Sequence, residues 1–506
     1  NIIMVDVIIR KHNNVYIQVE AEPSIRMGMS EHFARFVKGY QFQPKYKARI
    51  WDGKIRFFQY QNGMIYAGLI NRLLDYCKEN QLSVKIDPEV KELFKGDSEE
   101  QVNEYVNGLV MSAHGKRIEF RDYQKKAIAV CMTQKRKLIQ SPTSSGKSSI
   151  IYGICRYLLD NVLDQGERIL VIVPTIGLVT QLKSDFADYS SLNGWDAVSN
   201  MVLSTDSKGV RNERAPIMVS TWQSVFRLPE EYFSQFRAII TDEVHQAAAN
   251  SLVSIGKKCN AEFRIGLSGS INEEDEATDM TLTGIYGTKY TTVTTKQLMD
   301  EGTVAKLKVN CIQLKYEKND FSGTYQKEIE YIVQNNDRNR LIMDMANELE
   351  GNVLILFGLV EKHGKPLKEL SKKYDKELFF VYGGTDVDDR EKIRKLAETH
   401  KKGCIILASY QTFSTGVNIR NIRHIIFASP TKSFSRVIQS IGRGLRTSLT
   451  KTHCDVYDLF DEIRGDYKDP SSFNYTFKHF LERVKIYVKE GFEYSVNKVD
   501  IKVNKE

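Results

Sequence analysis

KLIQSPTSSGKSSIIYGICRYLLD, residues 137–160, holds three pieces in a row: an apolar-rich strand (KLIQ), a Ser/Gly-rich turn (141–149) and a helical run (SIIYGICRYLLD). The turn is one residue away from the pattern Gly-x-x-x-x-Gly-Lys-Ser/Thr, with Ser141 in the first place. A loop of that kind aims successive backbone N–H groups at phosphate oxygens, at the positive end of the following helix. In such a loop Gly146 keeps side-chain bulk away from the phosphate, Lys147 supplies charge and Ser148 supplies a Mg²⁺ ligand, with Ser144 and Ser145 in the cradle between. Ser141 only opens the loop, where a small residue suffices. By itself the stretch also fits an ordinary turn before a helix, so its reading depends on the rest of the chain.

At 506 residues the chain should hold about three domains. Lys and Arg outnumber Asp and Glu by 72 to 64, a formal +8 that allows a polyanionic partner without requiring one. The seven cysteines are scattered and never spaced as metal ligands, so they read as free thiols of a reducing compartment. No apolar run reaches the length of a membrane span, and a cytoplasmic protein with no membrane partner is expected.

Between about 115 and 270 short apolar runs alternate with helical stretches: KLIQ, ILVIVP (169–174), IMVS (217–220), AIITDE (238–243) and FRIGLSGS (263–270). The alternation resumes at NVLILF (352–357), LFFVYGG (378–384), CIILAS (404–409), HIIFAS (424–429) and CDVYDLF (454–460). Unbroken apolar strands between helices predict parallel sheets, hence an α/β chain with two tandem doubly wound domains, over 113–290 and 291–470. Residues 471–506 read as an extension of one helix and one strand, and 1–112 as a small α+β domain. There, Asp52-Gly53 and Asn62-Gly63 predict hairpin turns and a three-stranded meander over 46–67, flanked by helices near 30–39 and 68–80.

Asp242 and Glu243 close an apolar strand in IITDEVH; a carboxylate there can hold Mg²⁺ through water while its neighbour polarises an attacking water. Arg443 and Arg446 in QSIGRGLR share a helical face and suit a phosphoryl transition state. Together these motifs resemble those of superfamily 2 helicases of the DExH group, over roughly 117–465. In family order they are RDYQ (121–124), SPTSSGKS, VPTIGLVTQ (173–181), STWQS (220–224), DEVH (242–245), LSGS (267–270), NVLILF, SYQTFSTGVNI (409–419) and QSIGRGLR (439–446).

The resemblance implies two RecA-like domains, ATP and Mg²⁺ as cofactors, and a role for each matching residue. Gln124 would contact the base, Lys147 and Ser148 the phosphate and metal, Asp242 the metal, and Glu243 the attacking water. His245 and Gln439 would couple the γ-phosphate to domain closure, Gly416 would approach the nucleotide, and Arg443 and Arg446 would act as arginine fingers. Thr175, Thr221 and Thr412 would touch a nucleic-acid backbone. Ser141 and Ser270 depart from the usual residues, without removing a charge.

Residues 35–60 carry seven basic side chains against one acid, interleaved with eight aromatics. A two-residue turn at Asp52-Gly53 would set Trp51 opposite Lys54, Arg49 opposite Arg56 and Lys47 opposite Phe58 on one face, with Ile50, Ile55, Ala48 and Phe57 on the other. Two arginines face to face call for an anion, and phosphate backbone fits. This segment, FQPKYKARIWDGKIRFF, with VTTKQLMDEGTVAKLKV (293–309) and the motor motifs, resembles UvsW-type bacteriophage helicases over nearly the whole chain. That implies a 3′→5′ ATP-driven enzyme on branched or partly single-stranded DNA, in branch migration, fork regression and D-loop or R-loop unwinding. A monomer is expected, in the infected host cytoplasm, with single-strand-binding or recombination proteins as candidate partners. A DExH RNA helicase, or an annealing or translocating motor that does not unwind, is the alternative.

Overall fold

The computed structural model describes residues 5–142, 144–205, 214–245, 249–269, 275–317, 321–400, 402–415, 421–431, 453–464 and 469–502. The chain divides into two compact units, residues 1–141 with 146–292 and residues 142–145 with 293–506. Each is built on a seven-stranded sheet whose strands all run parallel.

In the first unit the strands lie in the order Met201–Leu203, Ile217–Thr221, Arg168–Val173, Phe236–Thr241, Phe263–Ser268, Arg136–Gln140 and Lys289–Thr291. Alternation of side chains along a strand splits the core in two. Ile169, Val171 and Val173 pack with helices Asp122–Gln134 and Lys147–Asn161, whereas Leu170 and Ile172 pack with Val225, Phe233 and Ile255 on the opposite face. Both faces are buried, which is why these strands read as continuous apolar runs. The short edge strands 201–203 and 289–291 were not legible from sequence, because three residues carry too little pattern.

The N-terminal domain is a five-stranded sheet in the order Phe58–Gln59, Met64–Tyr66, Tyr16–Ala21, Val7–Lys11 and Val84–Ile86. It shares one core with the motor sheet: Val7, Ile9, Ile17 and Leu69 pack in the same cluster as Leu138, Met280, Ile285 and Tyr286. At this seam Gly68 sits so close to helix Glu276–Tyr286 that a Cβ on it would lie 2.1 Å from the carbonyl oxygen of Thr283.

The meander expected over 46–67 is half right. Phe58–Gln59 and Met64–Tyr66 do form an antiparallel pair around Asn62-Gly63. The Asp52-Gly53 hairpin does not form. Pro44, which is favoured at a first helical position, opens a helical turn Pro44–Lys47, and Arg49 follows in the left-handed region at φ 57°. Lys54–Arg56 pairs instead with Ala34–Phe36, so Arg56 faces Ala34 and not Arg49. The first helix accordingly lies at Pro23–His32 and not near 30–39, while Ile70–Glu79 occupies the second expected span. Ile50 and Ile55, expected on a buried face, are exposed, whereas Phe57 is buried.

In the second unit the strand order is Leu378–Val381, Ile405–Ser409, Asn352–Phe357, Ile422–Phe427, His453–Glu462, Lys306–Tyr316 and Glu493–Ile501. The tail is thus no separate extension: its strand pairs along Lys308–Tyr316 and completes the sheet. Its helix, Tyr475–Glu490, is tied down by Arg483, which grips Asp458 through two bonds of 2.9 and 2.8 Å with both side chains buried. Arg338 holds Asp461 in the same two-pronged manner at 2.8 and 3.1 Å. Breaking a buried ion pair of this geometry would strand a charge in the core. His363 is buried between Ser429 and Asn339, at 2.8 and 3.0 Å.

Gly68→Ala is expected to lower stability by about 1–3 kcal/mol, read by denaturant unfolding, since the added methyl meets backbone that cannot rotate away. Burial, aided by Arg338, pushes His363 well below its ordinary value of 6.5, so the folded chain keeps it neutral. The unfolded chain therefore binds the extra proton, and the stabilisation present above 6.5 is lost as pH falls beneath it, at about 1.4 kcal/mol per unit. His363→Gln should remove that component of the acid sensitivity; an unchanged slope would place its origin elsewhere.

Candidate active site

Parallel strands all end on one edge of a sheet, and in the first unit the motif residues follow those ends. Gln140 pairs with Ser268 and Ile172 with Thr241, so the turns after these strands emerge side by side. Ser141 is still within the ladder: its N–H donates to the Ser268 carbonyl at 2.9 Å, and its hydroxyl lies 2.8 Å from Thr292 Oγ1. It has no left-handed backbone, which is why serine can stand where the motif usually has glycine. Gly146 differs. Its φ is 80°, and a Cβ there would lie 2.5 Å from Gln124 Nε2. Ser144 also takes a left-handed φ of 69°, and Ser145 ties the loop internally through its hydroxyl to the Pro142 carbonyl at 2.6 Å.

Lys147 begins the helix that follows the loop and reaches across to Glu243, Nζ to Oε1 2.7 Å, with both side chains largely buried. Glu243 is itself left-handed at φ 50°, an unusual conformation for a residue with a Cβ. Its second oxygen accepts from the Gly269 N–H at 3.2 Å and lies 3.4 Å from His245 Nδ1. His245 Nδ1 in turn lies 2.7 Å from Ser268 Oγ. The chain Lys147–Glu243–His245–Ser268 links the phosphate-loop motif, the acidic motif and the LSGS motif in one network.

Electrostatics separates the two carboxyls. Burial and the neighbouring Glu243 charge raise Asp242 to about 7, against the opposing pull of Lys147. For Glu243 burial also acts upward, but Lys147, His245 and the hydrogen bonds outweigh it and hold the group below its ordinary value. His245 is lowered by burial despite the attraction of Glu243. Asp242 is thus a half-buried carboxyl whose charged form calls for a cation, and with the Ser148 hydroxyl it offers the hard oxygen donors that Mg²⁺ prefers. Among the described residues no three His, Cys, Asp or Glu side chains converge as a complete metal cage. Ser148 Oγ here lies 2.7 Å from Tyr189 OH.

Gln124 is buried, and its Oε1 accepts from the Arg121 N–H at 2.9 Å, which turns its Nε2 toward Gly146. Thr175 caps helix Ile176–Tyr189. Thr221 and Thr412 are buried, with their hydroxyls on Ser224 at 2.9 Å and Ser409 at 2.8 Å. Gly416, Gln439, Arg443, Arg446 and Ser270 lie outside the described residues.

On the N-terminal domain, Lys47, Arg49, Trp51 and Arg56 line one open cleft of about 800 Å³, although not through the expected hairpin. Arg56 already has anions, Asp52 at 2.8 Å and Glu31 at 3.0 Å. Trp51 donates its Nε1–H to the Lys54 carbonyl at 2.8 Å. Lys54 leans instead over Phe36, 5.1 Å from the ring centre. Phe42 and Ile50 around this region are 79 % and 78 % exposed, a display of apolar surface beside basic residues, and Ile50 is the one of the two that the hairpin reading places on the core face.

Residues 6–87 match the family described as DNA helicase UvsW, N-terminal; residues 117–273 match Type III restriction enzyme, res subunit; and residues 337–448 match the Helicase conserved C-terminal domain. The ATP-dependent DNA helicase uvsW of Enterobacteria phage T4 is 34% identical over 513 residues, covering 98% of this chain and 100% of the relative. The crystal structure of T4 UvsW superposes with a TM-score of 0.53 at 32% identity, over 98% of this chain and 100% of that one. A DNA-bound Type ISP restriction-modification enzyme, LlaBIII, matches in fold alone: TM-score 0.56 at 15% identity, over 77% of this chain and 32% of that one.

In the described site, Glu243→Ala is expected to release Lys147 and relax the left-handed turn. Backbone hydrogen exchange at 242–245 and 268–269 should then rise, whereas unchanged protection would show that the network does not hold these turns together.

Proposed function

The chain belongs to the UvsW family of superfamily 2 helicases, ATP-hydrolysing motors, and from that membership we propose that it travels 3′→5′ and remodels branched DNA. One observation carries the reading. An exposed basic and aromatic surface is built on the same core as the sheet bearing the nucleotide motifs, so it moves with the ATP-binding half of the motor. A motor so equipped can hold a second arm of its substrate while the helicase core works on the first.

Lys147 leaves Glu243 for the β- and γ-phosphates as ATP enters, and the freed Glu243 then orients and polarises the attacking water. Asp242 and Ser148 would hold Mg²⁺, which would supply Lewis-acid neutralisation of the phosphate charge. Ser144, Ser145 and Gly146 present backbone N–H groups, and Gln124 reads the base. His245 transmits the state of Glu243 to Ser268. The family pattern also gives Gly416, Gln439, Arg443 and Arg446 roles toward the nucleotide, the two arginines as stabilisers of the transition state. Thr175, Thr221 and Thr412 mark the track of the DNA backbone; for the last two, a hydroxyl contact requires their internal bonds to open.

Hydrolysis measured with single-stranded DNA, duplex, four-way junction and RNA at equal nucleotide concentration tests the proposal. Strongest stimulation by the junction supports it; strongest stimulation by RNA overturns the substrate while leaving the motor intact. Lys147→Ala should abolish hydrolysis and preserve DNA binding, and Glu243→Gln should reduce hydrolysis by about 10²–10⁴-fold with ATP still bound. On the N-terminal face, Lys47→Ala and Arg49→Ala should each reduce the log–log salt slope of junction binding by about 0.9. Arg56→Ala should reduce it less, because Asp52 and Glu31 already neutralise that side chain.

A further inference from the structure

Ser148 follows Lys147 at the start of helix Lys147–Asn161, and its hydroxyl lies 2.7 Å from that of Tyr189. Tyr189 is the last residue of helix Ile176–Tyr189, beyond VPTIGLVTQ (173–181), and belongs to none of the motifs of the sequence. Contacts on two sides fix where its phenol points. The ring lies edge-on to Tyr152, with centroids 5.5 Å apart, and Tyr152 sits one helical turn after Ser148 on the same face. Behind it, the buried Ser112 hydroxyl donates to the carbonyls of Asp188 and Tyr189, at 2.6 and 3.1 Å. The Asp188 carboxylate in turn accepts from the His114 N–H at 2.8 Å. The end of the helix is thus tied down by a segment that takes no part in the nucleotide motifs.

A hydroxyl has one proton and two lone pairs. If Ser148 donates to Tyr189, both its lone pairs stay free, and if it accepts, one does. The bond therefore orients the Ser148 oxygen without using up its capacity to meet an ion. Burial, with Asp185 adding to it, raises Tyr189 to about 12, so at neutral pH it is an uncharged phenol and no rival anion for a metal. Left alone, a serine hydroxyl turns among staggered rotamers, and an outer partner that selects one of them strengthens the ligand. Packing against Tyr152 requires only the ring, which phenylalanine would supply equally well. The hydroxyl is the part that packing leaves unexplained.

We infer that Tyr189 is a positioning residue of the nucleotide site, holding the Ser148 hydroxyl in the orientation from which it ligates Mg²⁺. The inference rests on the proposed role of Ser148 as a metal ligand. It adds a contact from the helix that Thr175 caps at its other end, so the helices that follow two separate motifs meet at one ligand.

The test uses the full chain without DNA, with Mn²⁺ as the probe and a non-hydrolysable ATP analogue, free Mn²⁺ being read by electron paramagnetic resonance. Tyr189→Phe keeps the ring and should raise the Mn²⁺ dissociation constant of the analogue complex by about tenfold. Binding of the analogue in EDTA should stay at the wild-type level, which a general loosening of the loop would not allow. Ser148→Ala should also weaken Mn²⁺, and Ser148→Ala/Tyr189→Phe should weaken it no further, because Tyr189 acts through Ser148. Unchanged or tighter Mn²⁺ binding in Tyr189→Phe would overturn the inference, as would a loss of analogue binding in EDTA or additive losses in the double variant. If Ser148→Ala leaves Mn²⁺ affinity intact, the metal role of Ser148 fails and the inference falls with it. A loss in Ser148→Ala without one in Tyr189→Phe overturns the role of Tyr189 alone.

Discussion

Parallel strand pairing is the constraint from which the rest of the first unit follows. Because the neighbours of Arg136–Gln140 and Phe236–Thr241 run in the same direction, their C-terminal ends lie along one edge. Residues as distant in sequence as Lys147 and Glu243 then come within 2.7 Å without any long loop having to search for its partner. The geometry needs little glycine. Ser141 stays in the ladder, and only Gly146, pressed against Gln124, has to do without a side chain. Two residues of the site, Ser144 and Glu243, take left-handed backbone conformations.

The Lys147–Glu243 pair also gives the site a stable arrangement. Each buried charge is met by the other, and Asp242, next to them, responds by holding its proton more tightly. Displacing the lysine changes the charge balance of Glu243, His245 and Ser268 in turn. A ligand that binds lysine can therefore be sensed at the LSGS turn through hydrogen bonds, with no large movement required inside the unit.

The N-terminal domain illustrates how much packing adds to pattern. Its basic and aromatic composition was plain in residues 35–60, and four of the five expected contact residues do line one cleft. The hairpin meant to assemble them was misread, because Asp52-Gly53 is a strong turn signal and Pro44 a quiet helix signal. Local helix formation at Pro44–Lys47 left Lys54–Arg56 to pair with Ala34–Phe36, some twenty residues earlier. That long-range pairing neutralises Arg56 with Glu31 and exposes Ile50, neither of which a local rule could reveal.

The sequence by itself determined the two parallel sheets, the order of the nucleotide motifs and the residue types of the site. Those depend on local quantities: apolar runs long enough to be buried on both faces, and short motifs whose spacing follows from backbone geometry. Tertiary structure alone decided that the tail strand Glu493–Ile501 closes the second sheet, that Gly68 seats the N-terminal domain on the motor, and that Arg136 ends buried against the Leu93 and Asn14 carbonyls. Each of these depends on contacts between residues far apart in sequence, and their energy comes from burial, which no single segment can express before its partner arrives.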